Sequence, residues 1–186
     1  VLNTAKPLEL EWDLKAFRNE KSISYENKYT EIYFEHKEGK VDYAGLGAKE
    51  EETLEKPTFI AFKQHFFTSI LVSKTPFEKA QLVSTNLMND EKVDTTFTKS
   101  FKANLPLAFT NGELDYKLNW YLGPSDYKTL ASYDQNLEKI ITLGWGIIGW
   151  INRFIFVPLF GFLGSYIDYG IAIILFTILI KLAMSP

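Results

Sequence analysis

Over the first two thirds of the chain, hydrophobic and polar positions alternate with a period of two. In "LELEWDL", Leu8, Leu10, Trp12 and Leu14 oppose Glu9, Glu11 and Asp13, the pattern of a strand with one face buried and the other wet. "ELDYKLNW" repeats it with Leu114, Tyr116, Leu118 and Trp120. "SISYENKYTEIYFEHKEGKV" reads as paired strands around a polar turn at Lys37 to Lys40. "PTFIAFKQHFFTSILVS" is denser in aromatics, as central strands are. "QLVSTNLMNDEKVDTTFTKSFKANLPLAF" adds short alternating runs separated by Asn and Asp turns. The expected fold is mainly β, an antiparallel sandwich over residues 1–123 with its first strands missing.

The period changes at "GPSDYKTLASYDQNLEKIITLG". Gly123-Pro124 ends the last strand, Ser125 is a candidate N-cap, and Asp126 falls in the first turn. Tyr127, Leu130, Ala131, Leu137 and Ile141 then follow helical spacing up to Gly144. This predicts one helix within 124–143, packed on the β-domain.

From Gly144 onward the solvent itself changes. Of 43 charged residues, only Arg153, Asp168 and Lys181 lie in the last 43 positions. Segment 144–167 holds "GWGIIGWINRFIFVPLFGFLGSYI", in which Asn152 and Arg153 stand mid-run and Pro158 interrupts. If Trp145 to Phe156 is helical, Gly146, Gly149 and Asn152 form a small, polar stripe beside Arg153. Such a helix is expected to rest in a bilayer interface, with Trp145 and Trp150 at headgroup level and Arg153 near lipid phosphates. A buried hairpin helix of a soluble domain is the plain alternative.

Segment 168–186 contains a spanning run that begins at Ile171. Helical rise carries Lys181 roughly 15 Å along it, about half of a hydrocarbon core roughly 30 Å thick. Pro186 lies only about 22 Å in by the same rise, so the chain ends before the helix has crossed. A mid-bilayer lysine costs about 2.5–3.5 kcal/mol on insertion scales. Snorkelling towards headgroups recovers part of that cost. The functional reading is that Lys181 faces a hydrated cavity, with Thr177 and Met184 on the same semi-polar flank by three- and four-residue spacing.

Composition narrows the classes. A net charge of −3 argues against a nucleic-acid partner. The absence of cysteine excludes disulfides, thiolate metal sites and a cysteine nucleophile. His65, in an aromatic strand, reads as a hydrogen-bonded structural residue, and His36 as solvated. Glu50, Glu51, Glu52 and Glu55 read as a surface loop, not a metal cage, and "GLG" at Gly45 to Gly47 lacks the context of a nucleotide fingerprint. No catalytic residue, cofactor or metal is implied. With no start methionine and no signal-like segment before Val1, the chain is expected to be a piece of a longer protein.

"WYLGPSDY" after a β-rich domain, then an amphipathic segment, then "IILFTILIKLAMSP" together resemble the YidC family of bacterial membrane-protein insertases. The most specific element is an apolar helix with a basic residue five positions before a proline. "FIAFKQHFF", with Gln64 between aromatics, also resembles the family's periplasmic domain. The resemblance implies a galactose-mutarotase-like β-supersandwich in the periplasm, an interfacial helix and most of the second transmembrane helix of an inner-membrane protein. It further implies that Lys181 lies in a hydrophilic groove, where it attracts acidic stretches of nascent membrane proteins. Many members carry arginine there; lysine keeps the charge and loses bidentate hydrogen bonding. Sec translocon subunits, and the ribosome through regions outside this chain, are partners implied in the same way.

Two rivals come from other classes. One is a sugar-binding or sugar-isomerising envelope domain on an anchor, which needs a placed acid and base. The other is an anchored structural domain that binds a partner. Four further hydrophobic segments after Pro186 would favour the insertase over a simple anchor.

Overall fold

Period-two segments with one apolar face must cover that face, and here they do so by pairing into two sheets. The computed structural model describes residues 8–36, 39–94, 96–109 and 113–184. It divides into two units, Val1–Ile141 and Thr142–Pro186.

The first unit contains β1 (Leu8–Phe17), α1 (Ile23–Lys28), β2 (Glu31–His36), β3 (Lys40–Ala44), β4 (Lys49–Glu55), β5 (Phe59–Lys63), β6 (Phe67–Ser73), β7 (Lys79–Asn86), β8 (Phe97–Leu107), β9 (Leu118–Pro124) and α2 (Tyr127–Ala131). One antiparallel sheet has the order β1-β8-β7-β4, and the other has the order β3-β2-β5-β6-β9. Register sets Trp12 opposite Ala103 and Ala103 opposite Leu82, one inward row across three strands. The core between the sheets gathers Trp12, Leu82, Phe101 and Leu105 from one side and Ile32, Phe34, Phe62 and Leu71 from the other. Trp12 stacks on Phe62 at 3.8 Å between ring centroids. It also meets Trp120 edge-on at 4.8 Å, which closes the sandwich between edge strands β1 and β9.

β5 is buried along its whole length, and β6 along all but Phe67. Their second face carries Phe59, Ala61, Ile70 and Val72, joined by Tyr33 of β2, and Leu130, Leu137 and Ile140 cover it. The sandwich therefore has a third, helical layer over this face of the second sheet. That explains why "FIAFK" is dense in apolar residues while the outward positions of "LELEWDL" are charged.

Several expectations need correction. The stretch around Ile23 is a helix, not a strand: Ser22 accepts the Tyr25 amide as N-cap. In the same helix the buried Glu26 carboxylate accepts the Asn19 and Glu20 amides at 2.9 and 3.1 Å. Three backbone and capping groups are satisfied locally, which outweighs the alternating pattern. The expected turn at Lys37 to Lys40 falls partly outside the described residues, although β2 and β3 pair as antiparallel neighbours.

Leu114 and Tyr116 precede the last strand instead of belonging to it, since β9 begins at Leu118. Tyr116 still packs on the core, stacking on Phe77 and accepting the Ala108 amide through its hydroxyl.

The acidic run is not a loop. Glu50, Glu51, Glu52 and Glu55 lie in edge strand β4. There the Glu50 carboxylate accepts the Gly45 and Gly47 amides at 2.5 and 2.6 Å, and those bonds hold its pKa below the ordinary carboxylate range.

The helix expected within 124–143 is split. α2 ends after one turn, Asp134 and Asn136 adopt left-handed conformations, and a 3₁₀ turn follows at Leu137–Ile140. Asp126, not Ser125, is the N-cap, accepting the Thr129 amide at 2.8 Å. The break lets both short pieces lay apolar residues on the flat outer face of the sheet.

The second unit holds α3 (Gly146–Ile151), a π turn (Asn152–Phe156), α4 (Val157–Gly164) and α5 (Tyr169–Met184). The first three form one continuous helix, Gly146–Gly164, which is long and apolar enough to cross a membrane. The expected interruption at Pro158 does not occur. Proline lacks the amide that a helix interior needs, and here it sits in the first turn after the π segment, where the widened turn takes up the mismatch.

Candidate functional site

Residues 165–168 join α4 to α5, a connection short enough to keep the two helices in contact. Phe176 of α5 meets Phe156 and Phe160 at ring-centroid distances of 4.9 and 4.6 Å. Ala172 is buried, and Phe176 and Ile180 are partly covered. Four-residue spacing puts these three on one stripe. α5 thus presents Ala172, Phe176 and Ile180 to its neighbour and leaves its other faces bare.

Lys181 lies on one of those bare faces and is exposed, about 18 Å along the axis from the start of α5. Thr177 is exposed one turn earlier on the same flank. Its hydroxyl donates to the Ile173 carbonyl at 2.8 Å and so brings no unsatisfied donor into apolar surroundings. Met184 is the last helical residue, and its side chain lies outside the described ones. Helix geometry therefore brings Lys181 and Thr177 together, one cation beside one internally satisfied hydroxyl.

Of the residues expected at a membrane surface, Trp145 is 87% exposed and immediately precedes α3. Trp150 is exposed and leans on Phe154 at 5.6 Å. Arg153 is exposed and sits inside the π turn. Asn152, read from sequence as part of a polar stripe, donates instead to the Leu143 carbonyl at 2.6 Å. Sequence reasoning missed this contact and the Phe156–Phe160–Phe176 cluster. The i, i+4 spacing of Phe156 and Phe160 was the available signal for the second.

The sandwich has polar features of its own. His65 Nδ1 lies 2.7 Å from a Glu20 carboxylate oxygen, and the imidazole stacks on Tyr29. A cleft of about 450 Å³ opens between strands β3 and β4, over Phe34 and Leu54, with His36, Asp42 and Glu52 among its walls. Neither His65 nor Glu20 lines this cleft. The buried Lys99 ammonium donates to the Thr30 carbonyl at 2.6 Å and to that of Gly45. Burial pushes its pKa down to about 8, while the Glu31 and Glu50 charges pull it back up.

A β-sandwich with a helical outer layer, followed in the same chain by one helix long and apolar enough to cross a membrane and by a second, shorter apolar helix, fits a class of membrane-tethered β-domain protein. The family model for the YidC periplasmic domain matches residues 3–158, and the chain belongs to the YidC family. It is 30% identical to the membrane protein insertase YidC of Phocaeicola vulgatus, over all of this chain and 31% of that protein. It is 34% identical to the corresponding protein of Amoebophilus asiaticus over 95% of this chain and 28% of the relative, and 33% identical to that of Porphyromonas gingivalis W83 over 96% and 30%. The chain spans under a third of the length of these relatives.

Proposed function

We propose that this chain is the periplasmic and early membrane part of a non-enzymatic insertase in the bacterial inner membrane, which helps nascent membrane proteins enter the bilayer and fold there. Residues 1–123 and 124–143 are the periplasmic portion, 144–167 rest in the interface, and 168–186 enter the hydrocarbon. The observation that carries the proposal is the placement of Lys181. It is a lone cation on an apolar helix, on a flank that the Phe176 stripe does not cover.

Polar peptide resists hydrocarbon because each unpaired backbone group loses its hydrogen-bond partner. A hydrated recess part-way through the bilayer shortens the apolar path. A fixed positive charge in reduced dielectric attracts acidic residues more strongly than it would in bulk water. Nothing covalent is needed. Thr177 lies on the same flank and helical spacing assigns position 184 to it as well, while Trp145, Trp150 and Arg153 hold the preceding helix at the headgroups. Arg153 supports an interfacial placement over a spanning one, because crossing would carry its charge near mid-bilayer. Sec translocon subunits, and the ribosome through regions present in the longer relatives, complete the proposed partners.

This chain contains no cysteine, so in the full-length protein, with any cysteine outside this chain replaced, a single introduced thiol probes the proposal directly. In the full-length protein in liposomes, Lys181→Cys should react with a water-borne maleimide, while Ile180→Cys, on the packed stripe, should not. A position 181 as unreactive as position 180 contradicts a hydrated recess.

A further inference from the structure

The small residues at the start of the apolar helix have a definite neighbour. A Cβ built on Gly149 would run into the Gly144 carbonyl oxygen and stand 3.0 Å from the carbonyl carbon. One turn on, the Asn152 amide donates to the carbonyl of Leu143 at 2.6 Å. The Gly149 amide itself reaches the Trp145 carbonyl at 3.4 Å. Leu143 and Gly144 are thus folded back along one face of the helix that follows them. The turn needs left-handed backbone on both sides of Trp145, with Gly144 at φ +97° and Gly146 at φ +59°. Held in this way, the Trp145 side chain is thrown outward, 87% exposed, at the helix start.

We infer that Gly149 and Asn152 are positioning residues: they clamp the Leu143–Gly144 turn to the helix and thereby fix the depth at which Trp145 meets the membrane surface. The inference rests on the interfacial reading of Trp145. Alanine is a better helix former than glycine by roughly 1 kcal/mol, so Gly149→Ala favours the helix itself while its methyl group expels the Gly144 carbonyl. Loss of the clamp is in this way separable from loss of the helix. Asn152→Leu removes the amide donor and leaves the Leu143 carbonyl without it.

This chain holds four tryptophans; in 5-fluorotryptophan-labelled full-length protein in phosphatidylethanolamine–phosphatidylglycerol vesicles, the lines of Trp12 and Trp120 are assigned among all those present by their loss in Trp12→Phe and Trp120→Phe. Trp145→Phe assigns one ¹⁹F line, and a headgroup-chelated gadolinium lipid measures its depth by broadening. The Trp12 and Trp120 lines, from the edge-on pair in the sandwich, certify folding in every variant. The expected result is a single Trp145 line strongly broadened in the parent. In Gly149→Ala and Asn152→Leu that line should shift, with its broadening changed at least twofold. Ile147→Ala, at an exposed position on the same helix, should leave it in place. A Trp145 line in Gly149→Ala that matches the parent in position and broadening overturns the clamp. A parent Trp145 line untouched by the gadolinium lipid overturns the interfacial reading, and with it the depth-setting role.

Discussion

Phe160 and Phe176 pack ring against ring at 4.6 Å between centroids, tilted by 44°, and this contact decides which face of α5 its neighbour covers. Phe176 is one turn before Ile180 and five residues before Lys181, so seating Phe176 turns Lys181 away from α4. A helix with no such seat could bury its lysine against any neighbour. The aromatic contact therefore helps to orient the charge.

If so, Phe160 and Phe176 must be energetically coupled. A double-mutant cycle of Phe160→Ala and Phe176→Ala should give a coupling of about 0.5–1.5 kcal/mol in an unfolding titration in mild detergent. Phe162, exposed on the same helix, should combine additively with Phe176→Ala. Additive behaviour of the Phe160 pair would mean that the ring contact does not hold the two helices together.

The helical layer of the sandwich rests on very few side chains. Leu130 is fully buried against the outer face of the sheet, so Leu130→Ala should cost about 2–5 kcal/mol in denaturant unfolding. The exposed Lys128 of the same short helix should tolerate alanine to within about 0.5 kcal/mol. Equal effects would show that α2 is not seated on the sheet.

Lys99 gives the sandwich a pH dependence of definite sign. Its pKa falls from 10.5 to about 8 on folding. Between those values the unfolded chain holds more of this proton than the native state, so the contribution of this group to stability rises with pH. Relative to Lys99→Met, the parent should gain something on the order of 2 kcal/mol between about pH 8 and about pH 10.5. Parallel stability curves over that window would mean that the ammonium is not buried against the Thr30 and Gly45 carbonyls.

Much of the architecture was readable from side-chain periodicity. Leu10, Trp12 and Leu14 alternate because one face of β1 is wet, and the dense run in "FIAFK" reflects a strand covered twice. Readings failed where local hydrogen bonds overrode the pattern. The Ser22 cap and the Glu26 carboxylate make a helix from an alternating segment, and left-handed Asp134 and Asn136 break a helix that side-chain spacing alone would continue. Pro158 misled for the opposite reason, because a π turn absorbs the missing amide without ending the helix. Lys181 was legible as a charge out of place. The direction it faces was not, because that depends on Phe176 finding Phe160 across a turn.

The measurement that bears most directly on the central claim is insertion of a substrate with an acidic tail by the reconstituted full-length protein carrying Lys181→Glu or Lys181→Arg. A cationic lure predicts near-parent insertion for Lys181→Arg and, for Lys181→Glu, a drop that is much smaller with a neutral-tailed substrate. Equal insertion by the two variants, with both tails, would contradict the account.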